Sequence, residues 1–362
     1  MAGAGPIVVA GAGGFIGGHL VNDLLARGAT RVRAVDVKPL RRWHQHPVSP
    51  AVEEVVADLR DAGACREACR GAETVYNLAA DMGGMGYIET HKAQCMLSVL
   101  INTHLLMAAR DAGVKRFFYA SSACVYNAQK QASPDVTPLA EADAYPAMPE
   151  DGYGWEKLFS ERMCRHFAED FGLDTRVARF HNVYGPHGCW TGGREKAPAA
   201  ICRKVAEAQL TGGTAIEVWG DGSQTRSFMY IDDCLEGMAR LMHRDAALAP
   251  INLGSDELVS INTLVEKVEH IAGVRLERNY KLDAPRGVPG RNSDNTRITA
   301  ELGWAPSISL DDGLARTFAW VSKQVAQQLS DPGSAPGSTP GSRTPGITRA
   351  GVAKPAPTRA VA

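Results

Sequence analysis

Gly11-Ala12-Gly13-Gly14-Phe15-Ile16-Gly17 stands directly behind the apolar run Ile7 to Ala10 and opens an amphipathic pattern from Phe15 to Arg27. A strand, a glycine-rich turn and a helix in that order let the backbone approach a pyrophosphate, whose charge rests on the free N–H groups of the helix start. Gly11, Gly14 and Gly17 keep the GxxGxxG spacing of a dinucleotide turn, with Phe15 and Ile16 beginning the helix. Asp36 ends the next expected strand, where a carboxylate hydrogen-bonds an adenosine ribose and repels a 2′-phosphate. This favours NAD over NADP. A strand-end turn residue is the plainer reading of Asp36, and the glycine pattern weighs against it. Asp58, just past the third strand, has the position for an adenine contact, although Asp-Leu after a strand is common.

Outward from this turn, apolar runs at Arg31 to Val35, Glu53 to Val56, Thr74 to Leu78, Arg116 to Ala120 and Thr175 to Arg179 alternate with helical patterns. The patterns at His91 to Ala112 and Tyr153 to Phe171 are long enough to cross between parallel strands. The expected fold is therefore α/β, with a doubly wound parallel Rossmann sheet over 1–180 that binds NAD. A smaller, mixed α/β substrate-binding domain is expected over 181–329, with segments that can return to the first. From 330 to 362, Pro-Gly and Pro-Gly-Ser recur without any aromatic residue, which predicts a disordered tail with no core of its own.

The 362 residues are 44% hydrophobic, enough for a large core. Thirty-nine Lys and Arg against forty Asp and Glu give a net charge of −1, which argues against a nucleic-acid or membrane-surface protein held by bulk electrostatics. No apolar run approaches the roughly 18 residues of a spanning helix, and Met1 to Pro6 lacks a charged leader segment. The eight cysteines contain no CxxC pair, and His181 and His187 stand unpaired, so the reading is reduced thiols, a cytoplasmic compartment and no metal.

Tyr153 and Lys157 form YxxxK on one helix face, one turn apart. A phenol with a pKa of about 10 works as a base near neutrality only beside positive charge, which Lys157 and an oxidised nicotinamide would provide. Ser122 ends the fifth strand at the ligand-binding edge of such a sheet. Glycine turn, serine and YxxxK in this order resemble the extended short-chain dehydrogenase/reductase superfamily, whose members commonly modify nucleotide sugars. Cys124, two residues beyond Ser122, should enter the same cleft, although a buried cysteine is usually an inert small hydrophobe. Lys196 offers a second proton-transfer group, against the plain reading of a solvated lysine near a helix start.

Asn77-Leu78-Ala79-Ala80-Asp81-Met82-Gly83-Gly84-Met85-Gly86, the segment Ser121 to Tyr126, Gly192 to Ala200, Trp219 to Phe228 and Gly290 to Asn295 resemble the GDP-mannose 3,5-epimerase family, over about Ile7 to Val325. The resemblance turns Cys124 and Lys196 into the acid/base pair and Ser122, Tyr153 and Lys157 into the triad. It places Ala79 and Asn182 by the cofactor, and Gly83, Ser122, Cys124, Tyr153, Asn182, Glu195, Lys196, Lys204 and Gln224 around GDP-mannose. Arg226 and Arg291 are the expected diphosphate clamps, with surface salt bridges as the plain alternative. A homodimer through His91 to Ala112 and Tyr153 to Phe171 follows from the same resemblance. Two features depart from it: a longer stretch at Ala206 to Ala215, and Pro289 where a basic residue is expected.

The implied chemistry is C4 oxidation by NAD, proton exchange at C3 and C5, and re-reduction. A nucleotide-sugar 4,6-dehydratase would want an acidic pair beside Ser122, where Ala123-Cys124 stands. Another nucleotide-sugar epimerase, such as a 4-epimerase, would need neither Cys124 nor Lys196. An NAD-sensing regulatory protein is disfavoured by the intact triad.

Overall fold

The computed structural model describes residues 5–244 and 249–330. Its largest sheet contains β1 (Ile7–Ala10), β2 (Val32–Asp36), β3 (Val52–Val56), β4 (Thr74–Asn77), β5 (Arg116–Ser122), β6 (Asp174–Phe180) and a last short strand, Ile251–Leu253. The spatial order is Ile251–Leu253, β6, β5, β4, β1, β2, β3, with every pair parallel. The chain begins mid-sheet at β1, runs outward to β3 and returns to β4 on the other side of β1. That reversal opens a crevice at the carboxyl ends of β1 and β4, where doubly wound sheets take ligands.

Among the helices that frame this sheet and the cleft are α1 (Phe15–Ala26), α2 (Ala62–Cys69), α3 (Met85–Thr90), α4 (Lys92–Met96), α5 (Ser98–Asp111), α6 (Asp151–Phe171) and α7 (Ala197–Thr211), with Ile231–His243 packed against α1 and β6. Successive strand residues bury against opposite faces, as the pleat requires. Val9 and Phe118 join a core with Leu20, Val205 and Ile231, while Val8 and Phe117 join another with Leu105 and Phe167.

The remaining strands form small sheets. Thr225–Ser227 lies between Leu258–Ser260 and Gly290–Arg291, and Ala215–Trp219 pairs with Glu277–Lys281. An isolated bridge from Leu139 to Ser293 ties the segment after β5 to the late part of the chain.

Three details differ from the sequence reading. The expected helix His91 to Ala112 is interrupted between Met96 and Ser98, where the Ser98 hydroxyl accepts the Asp81 N–H instead of pointing to solvent. Ile251–Leu253 was invisible as a strand, because three buried residues carry no periodicity. Ser330, the expected start of the tail, closes the helix Leu310–Ser330; residues 331–362 lie outside the described residues, and with them the expectation of disorder.

Candidate active site

The glycine turn has the geometry its spacing implies. Gly11 has φ of +87°, and a Cβ on Gly17 would fall 2.1 Å from the Gly11 carbonyl oxygen. Only hydrogen side chains let the start of α1 press so closely on the turn, leaving helix N–H groups open to an anion. Ala79 flanks the same turn, its N–H 2.9 Å from where a Gly11 Cβ would stand. Phe15 packs beneath Gly185 and Gly188. Asp36 is buried at the end of β2, with one carboxylate oxygen accepting the Lys38 N–H. These features fit the diphosphate and ribose of a dinucleotide. Asp58 is held by Arg60, which draws its carboxyl below the usual range.

At the end of β5, Ser122 Oγ accepts the Cys124 N–H at 3.2 Å, and the Ser122 side chain acts on the Tyr153 phenol in the direction that lowers its pKa. Gly154 explains how α6 comes so near, since a Cβ there would lie 2.3 Å from the Cys124 carbonyl oxygen. Burial pushes the Tyr153 phenol well above its ordinary pKa, with Cys124 and Glu156 adding to the effect. The Lys157 ammonium donates to the Ala120 carbonyl at 3.1 Å and lies 4.7 Å from the Tyr119 ring centre and 5.5 Å from that of Tyr153. Two rings, a carbonyl and the buried Glu156 carboxylate at 3.8 Å thus hold the cation next to the phenol.

Cys124 is 7% exposed at one end of a cavity of about 520 Å³ lined also by Met85, Ile88, Glu89, Glu150 and Val288. Burial raises the thiol pKa, and Arg291 opposes the shift. Lys196, at the start of α7, lies within electrostatic reach of Cys124; burial lowers its pKa, Cys124 opposes, and Arg291 adds to the lowering. A thiol pushed up and an ammonium pushed down move toward each other, giving a more basic thiolate and a more acidic ammonium. Such a pair can take a proton from one carbon and give one to another.

Arg291 and Arg226 meet a different geometry from the expected clamps. Arg291 Nη2 donates to Glu150 at 2.6 Å, Nε to Gln131 at 2.6 Å, and Nη1 lies 3.5 Å from Cys124 Sγ. Arg226 donates to the carbonyls of Thr225, Arg286 and Val288, and burial lowers its pKa to about 10. Burial steers both guanidinium groups to internal acceptors. Gln224 donates to the Trp219 carbonyl while its own buried carbonyl oxygen has no partner among the described residues. Lys204 donates to the Glu217 carbonyl, Asn182 to that of Ser227, and Glu195 accepts the Gly193 N–H. Gly83 lies against Tyr87 and the Arg194 backbone.

Ser122, Cys124, Tyr153, Lys157, Lys196 and Arg291 therefore share one centre, whereas Asp36 and Asp58 mark the far end of the dinucleotide crevice. Sequence reasoning missed Glu150, Gln131 and the group Asp81, Tyr87 and Arg194. Asp81 and Arg194 did lie inside quoted motifs; Glu150 had no signal beyond preceding the YxxxK helix. Among the described residues no group of three or more His, Cys, Asp or Glu side chains could hold a metal ion, and no helix is long and apolar enough to cross a membrane. All eight cysteines are free thiols.

A doubly wound sheet with a dinucleotide turn and a Ser/Tyr/Lys centre defines a nucleotide-dependent oxidoreductase or epimerase. The chain belongs to the NAD dependent epimerase/dehydratase family, which matches residues 7–254. It is 47% identical over 320 residues to GDP-mannose 3,5-epimerase 1 of Oryza sativa subsp. japonica, covering 88% of this chain and 82% of the relative. With GDP-mannose 3,5-epimerase of Arabidopsis thaliana the identity is 45% over 320 residues, with the same coverage. Among solved structures, MoeE5 in complex with UDP-glucuronic acid and NAD superposes with a TM-score of 0.75 at 28% identity, covering 88% of this chain and all of that one.

Proposed function

We propose that this protein is an isomerase that converts GDP-mannose to GDP-L-galactose, GDP-L-gulose or both, with NAD regenerated in each turnover. The observation that carries the reading is the meeting of Cys124 and Lys196 beside the Ser122, Tyr153 and Lys157 centre, which simple C4 epimerisation does not require. The 45–47% identity to GDP-mannose 3,5-epimerases supports the same substrate.

Bound NAD+ supplies a hydride acceptor for C4 and a positive charge beside the phenol. Tyr153 takes the C4 hydroxyl proton, Ser122 orients that hydroxyl, and Lys157 stabilises the phenolate. A C4 ketone acidifies the C–H bonds at C3 and C5. Cys124 and Lys196 remove and return protons at those carbons, and Tyr153 returns its proton when C4 is reduced again.

The proposed partner is a second copy of this chain. Leu100 and Met107 on α5 and Trp155 and Phe159 on α6 are exposed apolar side chains, which a helix-to-helix homodimer interface would cover. A cytoplasmic location is supported by the eight free thiols. The near-neutral charge argues for neither nucleic acid nor a membrane as partner.

The purified protein in D₂O with GDP-mannose, followed by NMR, should take up deuterium at C3 and C5 and yield new GDP-hexose signals. Uptake at C5 alone would restrict the product to the gulose epimer. No uptake with bound NAD present would sink the proposal. Cys124→Ser should bind NAD and sugar while suppressing C5 exchange.

A further inference from the structure

Arg291 is 4% exposed, yet all three of its nitrogens have partners on three separate segments. Its backbone is pressed into place by Gly290, where a Cβ would fall 2.2 Å from the Ser133 carbonyl oxygen. Glu150 and Gln131 fix two sides of the guanidinium at 2.6 Å each, so that the remaining nitrogen faces Cys124 Sγ at 3.5 Å. Glu150 is itself tied to the thiol's own loop, because its N–H donates to the Cys124 carbonyl at 3.1 Å. A planar cation clamped on two edges has little freedom to swing out to a diphosphate, whereas its third edge is aimed at a sulfur atom.

We propose that Arg291, clamped by Glu150 and Gln131, is the positioning residue that stabilises and orients the Cys124 thiolate. This rests on the reading of Cys124 as a proton-transfer group. Six groups from five segments lie within electrostatic reach of the thiol. Arg291, Lys196 at the start of α7 and Arg226 on Thr225–Ser227 are cationic; Glu150 before α6 is anionic; Ser122 on β5 and Tyr153 on α6 are hydroxyls. Burial raises the thiol pKa, and among these neighbours Arg291 provides the largest opposing effect. Without the guanidinium a thiolate in this cavity would face Glu150 with its main counter-charge gone. With it, the rise that burial imposes on the thiol is opposed, and the thiolate has a counter-charge at 3.5 Å. The arrangement also accounts for Glu150: that carboxylate is held below its usual range by Arg291, and its charge fixes the guanidinium at the expense of some thiolate stability.

The test is the pH dependence of iodoacetamide alkylation at Cys124 in the full chain, read by mass spectrometry of the Cys124 peptide, with bound NAD and circular dichroism as checks of folding. Arg291→Met should raise the alkylation midpoint by about one pH unit or more, a roughly tenfold loss of thiolate below both midpoints, and Arg291→Lys should raise it less. Glu150→Gln, which keeps a neutral partner for the guanidinium, should lower the midpoint and serves if Arg291→Met does not fold. The pH profile of C5 deuterium exchange should move with the alkylation midpoint in each variant. An unchanged midpoint in folded Arg291→Met, with only KM for GDP-mannose raised, would overturn the proposal and restore Arg291 as a phosphate ligand. A shifted midpoint together with wild-type exchange in Cys124→Ser would leave the Arg291 effect standing and reject the thiol's part in the reaction.

Discussion

The Arg194 guanidinium donates to the Asp81 carboxylate at 2.7 Å, joining two segments 113 residues apart in the chain. Its other terminal nitrogen donates to the Tyr87 hydroxyl at 2.6 Å, and the guanidinium carbon lies 3.8 Å from the Tyr87 ring centre. The Gly84 N–H adds a bond to the Arg194 carbonyl at 3.1 Å. The loop that carries Lys196 is thereby fastened to the loop of Gly83 and Gly84. Gly192 and Gly193, with φ of +89° and +83°, precede the fastening in the left-handed region that glycine adopts without strain.

Arg194→Ala should therefore leave folding nearly intact, because the ion pair is half-exposed and contributes about 1 kcal/mol or less. Displacing Lys196 by about 1 Å would cost up to roughly 100-fold in its proton transfer. Deuterium uptake measured separately at C3 and C5 should show one carbon slowed far more than the other. Equal slowing at both would mean that the fastening serves substrate binding alone.

Gly17→Ala places a methyl group 2.1 Å from the Gly11 carbonyl oxygen, so the turn or α1 must move. A cost of about 1–3 kcal/mol is expected, together with loss of NAD from the purified protein. Thermal denaturation and the absorbance of released cofactor check both. Asp36→Asn should fold normally and bind NAD about tenfold more weakly, while binding NADP better than the native chain does.

Acid should destabilise the protein through His181. The ring is fully buried, its Nε2 is 3.0 Å from Asn252 Oδ1, and Nδ1 has no partner among the described residues. Burial lowers its pKa from 6.5 to about 3. The unfolded chain takes up this proton near pH 6.5 and the native state only near 3, so the contribution to stability is complete above 6.5 and drains away as pH falls toward 3. The loss approaches about 1.4 kcal/mol per pH unit within that window. Urea titrations should show it, and His181→Gln should flatten the slope; an unaltered slope would assign the acid sensitivity elsewhere.

Phe159→Lys, on the exposed face of α6, should turn a dimer into a monomer in sedimentation velocity without lowering the monomer's NAD content. A native chain that sediments as a monomer would remove the proposed interface. Burying about 800 Å² per partner is the usual requirement for such a pair.

Much of the cofactor end was legible because its determinants are local. Gly11, Gly14 and Gly17 act within one turn, Tyr153 and Lys157 within one helix, and Asp36 at the end of one strand, so spacing along the chain is already spacing in the molecule. Cys124 and Lys196 were legible as a pair only by resemblance, since they stand 72 positions apart with several elements between them. Which groups these residues would meet was not legible. Arg291 reaches Cys124 across 167 residues and Glu150 across 141, contacts set by the bridge from Leu139 to Ser293 and by Gly290 packing on Ser133. Whether a guanidinium meets a phosphate, a carboxylate or a thiol depends on which acceptors burial leaves within its reach. The sequence by itself thus determined the dinucleotide turn, the triad and the order of the parallel units; tertiary packing alone decided which charges surround the thiol and how the Lys196 loop is held.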